Sequence, residues 1–304
     1  MLTIYRAVMH RDPESETEYQ NYWSAHVDGA SLQHQTLCSE YWAFHDQYHP
    51  RLLAAQTGSD ADELLLYETL HWSNYAVYTH LNSASEQLNH LRIERAEAPL
   101  QRLAYFYWSL GSARDQLARL VWLTFGLHEP DTSRGGLKPS NRQQYGSLHG
   151  YDKDRSTGQI ARWWLADKLS SVAASRPSAG SMANAIAPAH DLQLSPRNEG
   201  WYWLLNSIRN DITHGSLPFL GVCDRSGPWH MVNVAMPTSE RAVYVRELAP
   251  AGEPTLLTTS DTYPCCIDRQ CDYFLAKLCA LADDMWAALA AGFSNDELPA
   301  PRGT

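Results

Sequence analysis

A seven-residue recurrence of leucine constrains the fold of this chain more than any other feature. Leu103, Leu110 and Leu117 repeat at this interval, with apolar or small residues on the neighbouring rows. Because residues three, four and seven apart share one face of an α-helix, the pattern predicts one long amphipathic helix over 100–126. Gly111 stands in its middle, where glycine destabilises a helix by roughly 1 kcal/mol relative to alanine. We therefore expect a kink or a close helix approach there.

Apolar residues recur at helical spacing in several other segments. The pattern predicts helices over about 60–82, 157–174, 201–214 and 266–293, with shorter helix-like stretches at 32–53 and 85–97. Residues 128–157 and 176–198 lack such a period and are rich in turn-forming residues, so we expect loops there. Short β-rich runs between 219 and 248 favour a small antiparallel meander. The predicted fold class is all-α with a β insertion at about 217–258.

Composition limits the classes of protein to which the chain can belong. Of its 304 residues 44% are hydrophobic and 19% are charged, which is too apolar for a disordered chain. No apolar run reaches the length of about 18 residues that a membrane span needs, and the first residues lack a secretory signal, so we expect a cytoplasmic protein. The six cysteines do not form a disulfide framework. The net charge of −10 disfavours non-specific coating of nucleic acid but leaves room for a local basic site.

The strongest candidate site lies at the end of the predicted helix 201–214. Its last turns read Arg-Asn-Asp-Ile-Thr-His, and an apolar stripe occupies the opposite side of the helix. Asn210 and His214 are four residues apart and share a face, with Arg209 about 100° around the axis. A guanidinium stabilises charge that develops on phosphorus, and a histidine transfers protons near neutral pH. Such a pair suits metal-free attack of a ribose 2′-OH on its own phosphate.

A purely structural interpretation of these residues is also open. In it Arg209 pairs with a carboxylate such as Asp115 on the long helix, and Asn210 faces solvent. His214 then caps the last turn, where a cation suits the helix dipole.

A metal-dependent hydrolase is a weaker alternative. His45 and His49 are four residues apart, but Asp46 replaces the glutamate of a zinc-binding helix and Pro50 follows at once. Phosphate-loop, dinucleotide-binding and hydrolase motifs are not present in the sequence. We therefore expect neither a metal nor a cofactor.

The Arg209-Asn210-x-x-x-His214 pattern, at the end of a helix in a mostly helical chain, resembles the signature of the HEPN superfamily, the higher-eukaryote and prokaryote nucleotide-binding domains. The resemblance implies a HEPN-like domain over 99–292. The helical pattern before it predicts a helical extension over 1–98, and the polar, proline-containing end predicts a flexible tail over 293–304. The segments that correspond to the four-helix core of the family are 99–126, 157–174, 199–214 and 266–292.

The resemblance also implies an activity and site residues. Members are typically homodimers with a composite cleft, and many are metal-independent endoribonucleases in toxin–antitoxin, CRISPR or anti-phage systems. Others only bind RNA, a nucleotide or a protein partner. Catalysis is assigned to Arg209 and His214, with Asn210 orienting them. Asp115 on the first core helix is the best match for the polar residue that contacts the arginine, and Thr213 is a second supporting candidate.

These expectations extend to partners. A single arginine and histidine attract phosphate weakly on a chain of charge −10, whereas two copies across a two-fold axis double the cations in one cleft. We therefore expect a homodimer with an RNA substrate, and an antitoxin such as a nucleotidyltransferase as a candidate partner. The predicted loop 128–157 adds candidate RNA contacts at Arg134, Lys138 and Arg142.

Overall fold

Long helices dominate the part of the chain that the structure describes. The computed structural model describes residues 39–93, 99–153, 156, 160–190, 201–202, 205–206, 209, 220–223, 227–233 and 262–300. Outside its helices this part contains only small antiparallel sheets, so the predicted all-α class is confirmed. Among the described helices, none combines the length and the apolar character that crossing a membrane requires.

The elements follow one another in a simple order. The helices are α1 (Ser39–Thr57), α2 (Ala61–Ile93), α3 (Pro99–Thr124), α4 (Arg142–Tyr145), α5 (Trp164–Val172), α6 (Pro177–His190) and α7 (Ile267–Ser294). The strands are β1 (His128–Pro130), β2 (Leu137–Pro139), β3 (Tyr151–Lys153), β4 (Ile160–Trp163), β5 (Leu220–Cys223), β6 (Gly227–Asn233) and β7 (Thr262–Cys266). β1 pairs with β2, β3 pairs with β4, and β5, β6 and β7 form a three-stranded sheet.

An aromatic core joins helices from both sides of residue 98. α2 and α3 run along each other, and α7 packs against α1, α6, α2 and α3. Tyr41, Tyr48 and Trp286 are fully buried between these helices. Trp286 Nε1 donates to Asn74 Oδ1 at 2.7 Å, so the buried indole keeps a hydrogen bond. The described part of the predicted N-terminal extension therefore shares a core with the predicted HEPN-like domain.

The helices with the clearest apolar period agree with the predictions. α3 occupies nearly the predicted range, and Leu103, Leu110 and Leu117 are all buried on its inner face. α7 likewise spans the predicted final helix. By contrast, α2 is one helix of 33 residues, where the sequence pattern had predicted two separate helices.

Two helix predictions are corrected by the structure. The expected helix 157–174 is a strand, β4, followed by the nine-residue α5. The expected loop 176–198 contains the helix α6, which packs against α5 and α7. Proline misled the second prediction, because Pro177 occupies the start of the helix, where a missing N–H costs nothing.

The β insertion is larger than expected. β5 and β6 pair antiparallel from Leu220 opposite His230 to Cys223 opposite Gly227, as the meander predicted. The third strand is β7, which pairs with β6 and leads directly into α7. It lies beyond the predicted insertion, and the part of the predicted meander after residue 233 lies outside the described residues.

The tail that we expected to be flexible is docked where it is described. Arg51 on α1 donates to the carbonyl oxygens of Leu298 and Phe293, both at 2.9 Å. The Ala300 N–H donates to Thr124 O at 2.7 Å, at the end of α3. Leu298 and Ala300 are buried, so apolar contacts hold this segment as well as hydrogen bonds.

Candidate functional site

The segment that carries Arg209 is helical at each of its described positions. These positions are Trp201, Tyr202, Leu205, Asn206 and Arg209, and we call them the Arg209 helix. Trp201, Tyr202 and Leu205 are buried, whereas Asn206 and Arg209 are partly exposed. Trp201 Nε1 donates to Pro188 O at 3.0 Å, which fixes this helix against the end of α6. The described residues of the predicted apolar stripe, Trp201 and Leu205, therefore face the core, and Asn206 and Arg209 lie at its margin.

Gly111 is the point at which the Arg209 helix meets α3. A Cβ atom built on Gly111 would lie 2.9 Å from Arg209 Nε, 3.3 Å from its Cγ and 3.5 Å from its Cδ. The arginine side chain thus lies across α3 in space that a larger residue would occupy. The close approach at Gly111 is made by a side chain, that of the predicted catalytic arginine.

A second arginine lies between the same two helices. Arg114 Nη1 donates to Asn206 Oδ1 at 2.6 Å, and its Nε and Nη2 donate to Asp115 Oδ1 at 3.2 and 2.9 Å. Its guanidinium carbon lies 5.7 Å from the centre of the Tyr202 ring. Arg114 is 6% exposed, so the pair with Asp115 and the bond to Asn206 compensate a nearly buried charge. These contacts lock α3 against the Arg209 helix, about one turn from Gly111.

Tyr202 and His149 complete this polar cluster. The His149 ring centre is 5.2 Å from that of Tyr202, and His149 Nδ1 shares a hydrogen bond of 2.6 Å with Ser147 Oγ. Burial, with Arg114 nearby, lowers the pKa of His149 to about 4. Burial raises the pKa of Tyr202 well above its ordinary value. Both side chains are therefore neutral at pH 7, and Arg114 supplies the positive charge of the cluster.

The structure brings only part of the predicted site together. Arg209 lies on α3 at Gly111, one turn from Asp115 along that helix. Asp115 forms an ion pair with Arg114 at 2.9 Å. Asn210, Thr213 and His214 lie outside the described residues, so their roles stay predictions.

The candidate RNA contacts lie on a hairpin and a short helix after α3. Arg134 is exposed in the β1–β2 turn, and Arg142 is exposed at the start of α4. Lys138 on β2 pairs with Glu129 on β1 at 3.2 Å, and both are about half exposed. An exposed pair of this kind contributes little to stability, so Lys138 can exchange its partner for a phosphate at small cost. That these residues contact RNA stays a prediction.

His45 and His49, the candidate metal ligands, lie beside a third histidine, His71. α1 continues through Pro50 to Thr57, so Pro50 does not end the turn that carries His45 and His49, although Asp46 still stands where a zinc-binding helix has glutamate. The two rings stack with centres 4.8 Å apart, and His71 from α2 lies 6.1 and 6.4 Å from them. In the part of the chain that the structure describes, no three His, Cys, Asp or Glu side chains are arranged to hold a metal ion.

Four residues of the polar cluster were not predicted from the sequence: Arg114, His149, Tyr202 and Asn206. Tyr202, Asn206 and Arg209 are spaced four and three residues apart, so a helical projection of the segment groups them on one face. Arg114 carried a weaker signal, because it precedes the aspartate already singled out. His149 lies in a loop between α4 and β3, and no local pattern connects it with Tyr202.

The cluster brings two guanidinium groups to the junction of two helices. Arg209 lies against α3, and Arg114 of α3 donates to Asn206 of the Arg209 helix. The neutral side chains of His149 and Tyr202 lie beside Arg114. No protein-family model, no curated protein and no solved structure matches this chain.

Proposed function

We propose that this chain is a metal-independent endoribonuclease of the HEPN type that acts as a homodimer. The observation that carries the proposal is the position of Arg209 across Gly111, because the arginine of the motif lies against the long helix that corresponds to the first core helix of the family. Its side chain keeps a partly exposed position beside the Arg114 cluster. This location supports a role in binding an anion from solvent.

The proposed reaction uses the RNA substrate as its own nucleophile. The 2′-oxygen attacks the adjacent phosphorus, a proton leaves the 2′-OH, and the bond from phosphorus to the 5′-oxygen breaks as that oxygen gains a proton. His214 transfers protons in this scheme, Arg209 stabilises the phosphorane charge, and Asn210 orients them. The products carry 2′,3′-cyclic phosphate and 5′-hydroxyl ends.

The biological context that fits this activity is a toxin–antitoxin or anti-phage defence system. An uncontrolled ribonuclease stops growth, so we expect induction of the unmodified gene to arrest growth and induction of Arg209→Ala to leave it unaffected. A nucleotidyltransferase that acts as antitoxin is the candidate protein partner. Growth that is indifferent to both forms favours a nuclease that requires a trigger, or a binding protein.

A cleavage assay on purified protein tests the proposal directly. The unmodified chain is expected to cut single-stranded RNA in excess EDTA, whereas Arg209→Ala and His214→Ala lose at least about 100-fold in rate. Arg162→Ala is the matched control, because Arg162 forms an exposed ion pair with Asp152 on the β3–β4 hairpin. Cleavage that EDTA abolishes, or that persists in both site variants, contradicts the proposal.

One observation favours a second candidate function, a module that binds RNA, a nucleotide or a protein partner without cleavage. Asp115 pairs with Arg114, and Arg114 also donates to Asn206, so these polar groups hold one another without a substrate. The EDTA assay separates the two functions, because a binding module retains RNA in a filter assay and releases no cleaved product.

A further inference from the structure

The two most exposed large apolar side chains of the described residues both lie on α3. Trp108 is 54% exposed and Tyr105 is 51% exposed. The side of the helix that carries them continues through Ser112 to Asp115 and Arg119, all of which are at least partly exposed. These five residues, which we call the α3 face, are spaced alternately three and four apart. That spacing is the one at which two helices pack along a common seam.

Contacts with α2 hold the aromatic half of the α3 face in place. The His80 ring on α2 stands nearly perpendicular to the Trp108 indole, at 88°, with ring centres 5.7 Å apart. Ser109, the next residue along α3, donates from its Oγ to Ser83 Oγ of α2 at 3.3 Å. A side chain that is ordered before association loses less entropy when a partner covers it. Trp108 is thus suited to anchor a protein interface, where tryptophan contributes more to affinity than most residue types.

The charged half of the α3 face ends in an arginine that has no carboxylate partner in the described part of the chain. Arg119 Nε is buried and has no hydrogen-bond acceptor among the described residues. The guanidinium carbon lies 5.7 Å from the centre of the Trp122 ring. A partly buried cation is destabilising unless a neighbouring group compensates it, and an aromatic ring is one such group. Arg119 can therefore gain from a ring that another molecule supplies.

Asp115 keeps one carboxylate oxygen for a further donor. Arg114 Nε and Nη2 both donate to Asp115 Oδ1, at 3.2 and 2.9 Å, and no described residue donates to Oδ2. The side chain of Asp115 is 52% exposed. The indole N–H of a tryptophan is a donor that suits such an oxygen.

The α3 face is complementary to itself about Ser112. Tyr105 and Arg119 lie seven residues before and after Ser112, and Trp108 and Asp115 lie four before and three after it. A two-fold axis places residue i opposite the partner's residue j and j opposite the partner's i. Two antiparallel copies of α3 that cross at Ser112 therefore place each aromatic residue opposite a charged one. The crossing point needs only a small side chain, serine or alanine.

We propose that the α3 face is the surface through which two copies of this chain associate, with the two helices antiparallel and centred on Ser112. Trp108 Nε1 donates to the partner's Asp115 in this arrangement, and the guanidinium of the partner's Arg119 lies over the Tyr105 ring. Each contact occurs twice. Tryptophan, tyrosine and arginine are the residue types that dominate the affinity of protein interfaces.

This pairing brings both copies of Arg209 to one groove. Arg209 lies across Gly111, which is one residue from Ser112 and about 100° around the helix, so it occupies a flank of the α3 face. A two-fold axis that passes between two antiparallel helices keeps the same flank of both helices on the same side. Packed helix axes are about 8–10 Å apart, so the two flanks border a single cleft. That this cleft binds a phosphodiester rests on the proposed function, whereas the association of the α3 faces does not.

Compensating substitutions in the full chain test the interface by sedimentation equilibrium. Tyr105→Lys places a second cation opposite the partner's Arg119, and Arg119→Glu removes the guanidinium that covers the ring. We expect each variant alone to dimerise at least about tenfold more weakly than the unmodified chain. In an equimolar mixture of the two variants, one contact becomes an ion pair and the other is the unmodified pair. The affinity is then expected to return to within about threefold of that of the unmodified chain.

Single tryptophan substitutions provide a matched comparison. Trp108→Ala is expected to weaken dimerisation at least about tenfold, whereas Trp42→Ala, which removes a partly exposed tryptophan of α1, keeps the affinity of the unmodified chain. Circular dichroism of each variant checks its fold, and a misfolded variant would not regain affinity in the mixture.

Three results overturn the inference. They are an unmodified chain that stays monomeric, variants that dimerise as tightly as the unmodified chain, and a mixture that associates no more tightly than its components. RNA cleavage by the same samples is measured separately. A dimer that follows these expectations but leaves RNA intact refutes only the proposed ribonuclease. Cleavage by a dimer that none of the substitutions weakens refutes only this interface.

Discussion

At the scale of single residues, Gly111 determines where the Arg209 side chain can lie. The glycine lowers the intrinsic stability of α3 by roughly 1 kcal/mol relative to alanine, yet its position leaves room for a guanidinium 2.9 Å from where a Cβ would stand. The sequence predicted a close approach at this residue but could not name the neighbour. The neighbour comes from a segment about a hundred residues later, and only tertiary packing brings the two together.

Gly111→Ala is expected to separate activity from stability. The added methyl moves the guanidinium of Arg209, a flexible side chain, so we expect about a tenfold loss of RNA cleavage or binding while the melting temperature stays the same or rises. Ser112→Ala, one residue along and partly exposed, is the control. Full activity in Gly111→Ala means that the position of Arg209 across α3 is unimportant for function.

The environment of His71 predicts how the stability of the fold depends on pH. Burial, with His45 and His49 nearby, lowers the pKa of His71 to about 4, and Tyr48 Oη shares a hydrogen bond of 3.2 Å with its Nδ1. In the unfolded chain His71 binds a proton near its ordinary pKa of 6.5, whereas in the folded chain it is protonated only near pH 4. The contribution of His71 to the free energy of unfolding is therefore fully present above pH 6.5. It falls by roughly 3 kcal/mol as the pH drops from 6.5 to about 4.

Unfolding free energies from urea titrations at pH 7 and pH 4.5 check this prediction. The decrease on acidification is expected to be smaller in His71→Gln than in the unmodified chain. His90→Gln, on the same helix but more exposed, is the control. An identical decrease in His71→Gln and the unmodified chain contradicts the assignment.

At the scale of elements, agreement between sequence and structure follows the strength of the apolar period. α3 and α7 carry an unbroken stripe, and both were predicted nearly to their ends. α6 was missed because its small residues carry little hydrophobic signal and its prolines resemble loop punctuation. β7 was missed because its neighbour β6 is distant in sequence, so its pairing depends on contacts that no local pattern records.

The docked tail gives a prediction at this scale. Arg51 donates to the carbonyl oxygens of Phe293 and Leu298 and pairs with Asp296, so Arg51→Ala removes the side-chain donor of Leu298 O and one of the two donors of Phe293 O. We expect a loss of about 1 to 3 kcal/mol in the free energy of unfolding, measured by urea titration. Arg162→Ala removes only an exposed pair and is expected to cost less than about 1 kcal/mol. If the two substitutions lower the free energy of unfolding equally, the contacts of Arg51 with the tail do not stabilise the fold.

At the scale of the whole molecule, the account requires two copies of the site in one cleft. Arg209 and His214 of a single chain provide little positive charge against a net charge of −10. We expect sedimentation to give twice the 34.3 kDa protomer mass, and the cleavage rate per protomer to fall when dilution dissociates the dimer. A fully active monomer contradicts the composite cleft but not the chemistry of the motif.

The chemical ends of the RNA fragments show whether the 2′-OH of the substrate is the nucleophile. Mass spectrometry of the products formed in excess EDTA is expected to show 2′,3′-cyclic phosphate and 5′-hydroxyl ends, and these products are expected to disappear with Arg209→Ala and to persist with Arg162→Ala. Fragments with 3′-hydroxyl ends, or an intact substrate at every protein concentration, contradict a ribonuclease that uses the 2′-OH as its nucleophile.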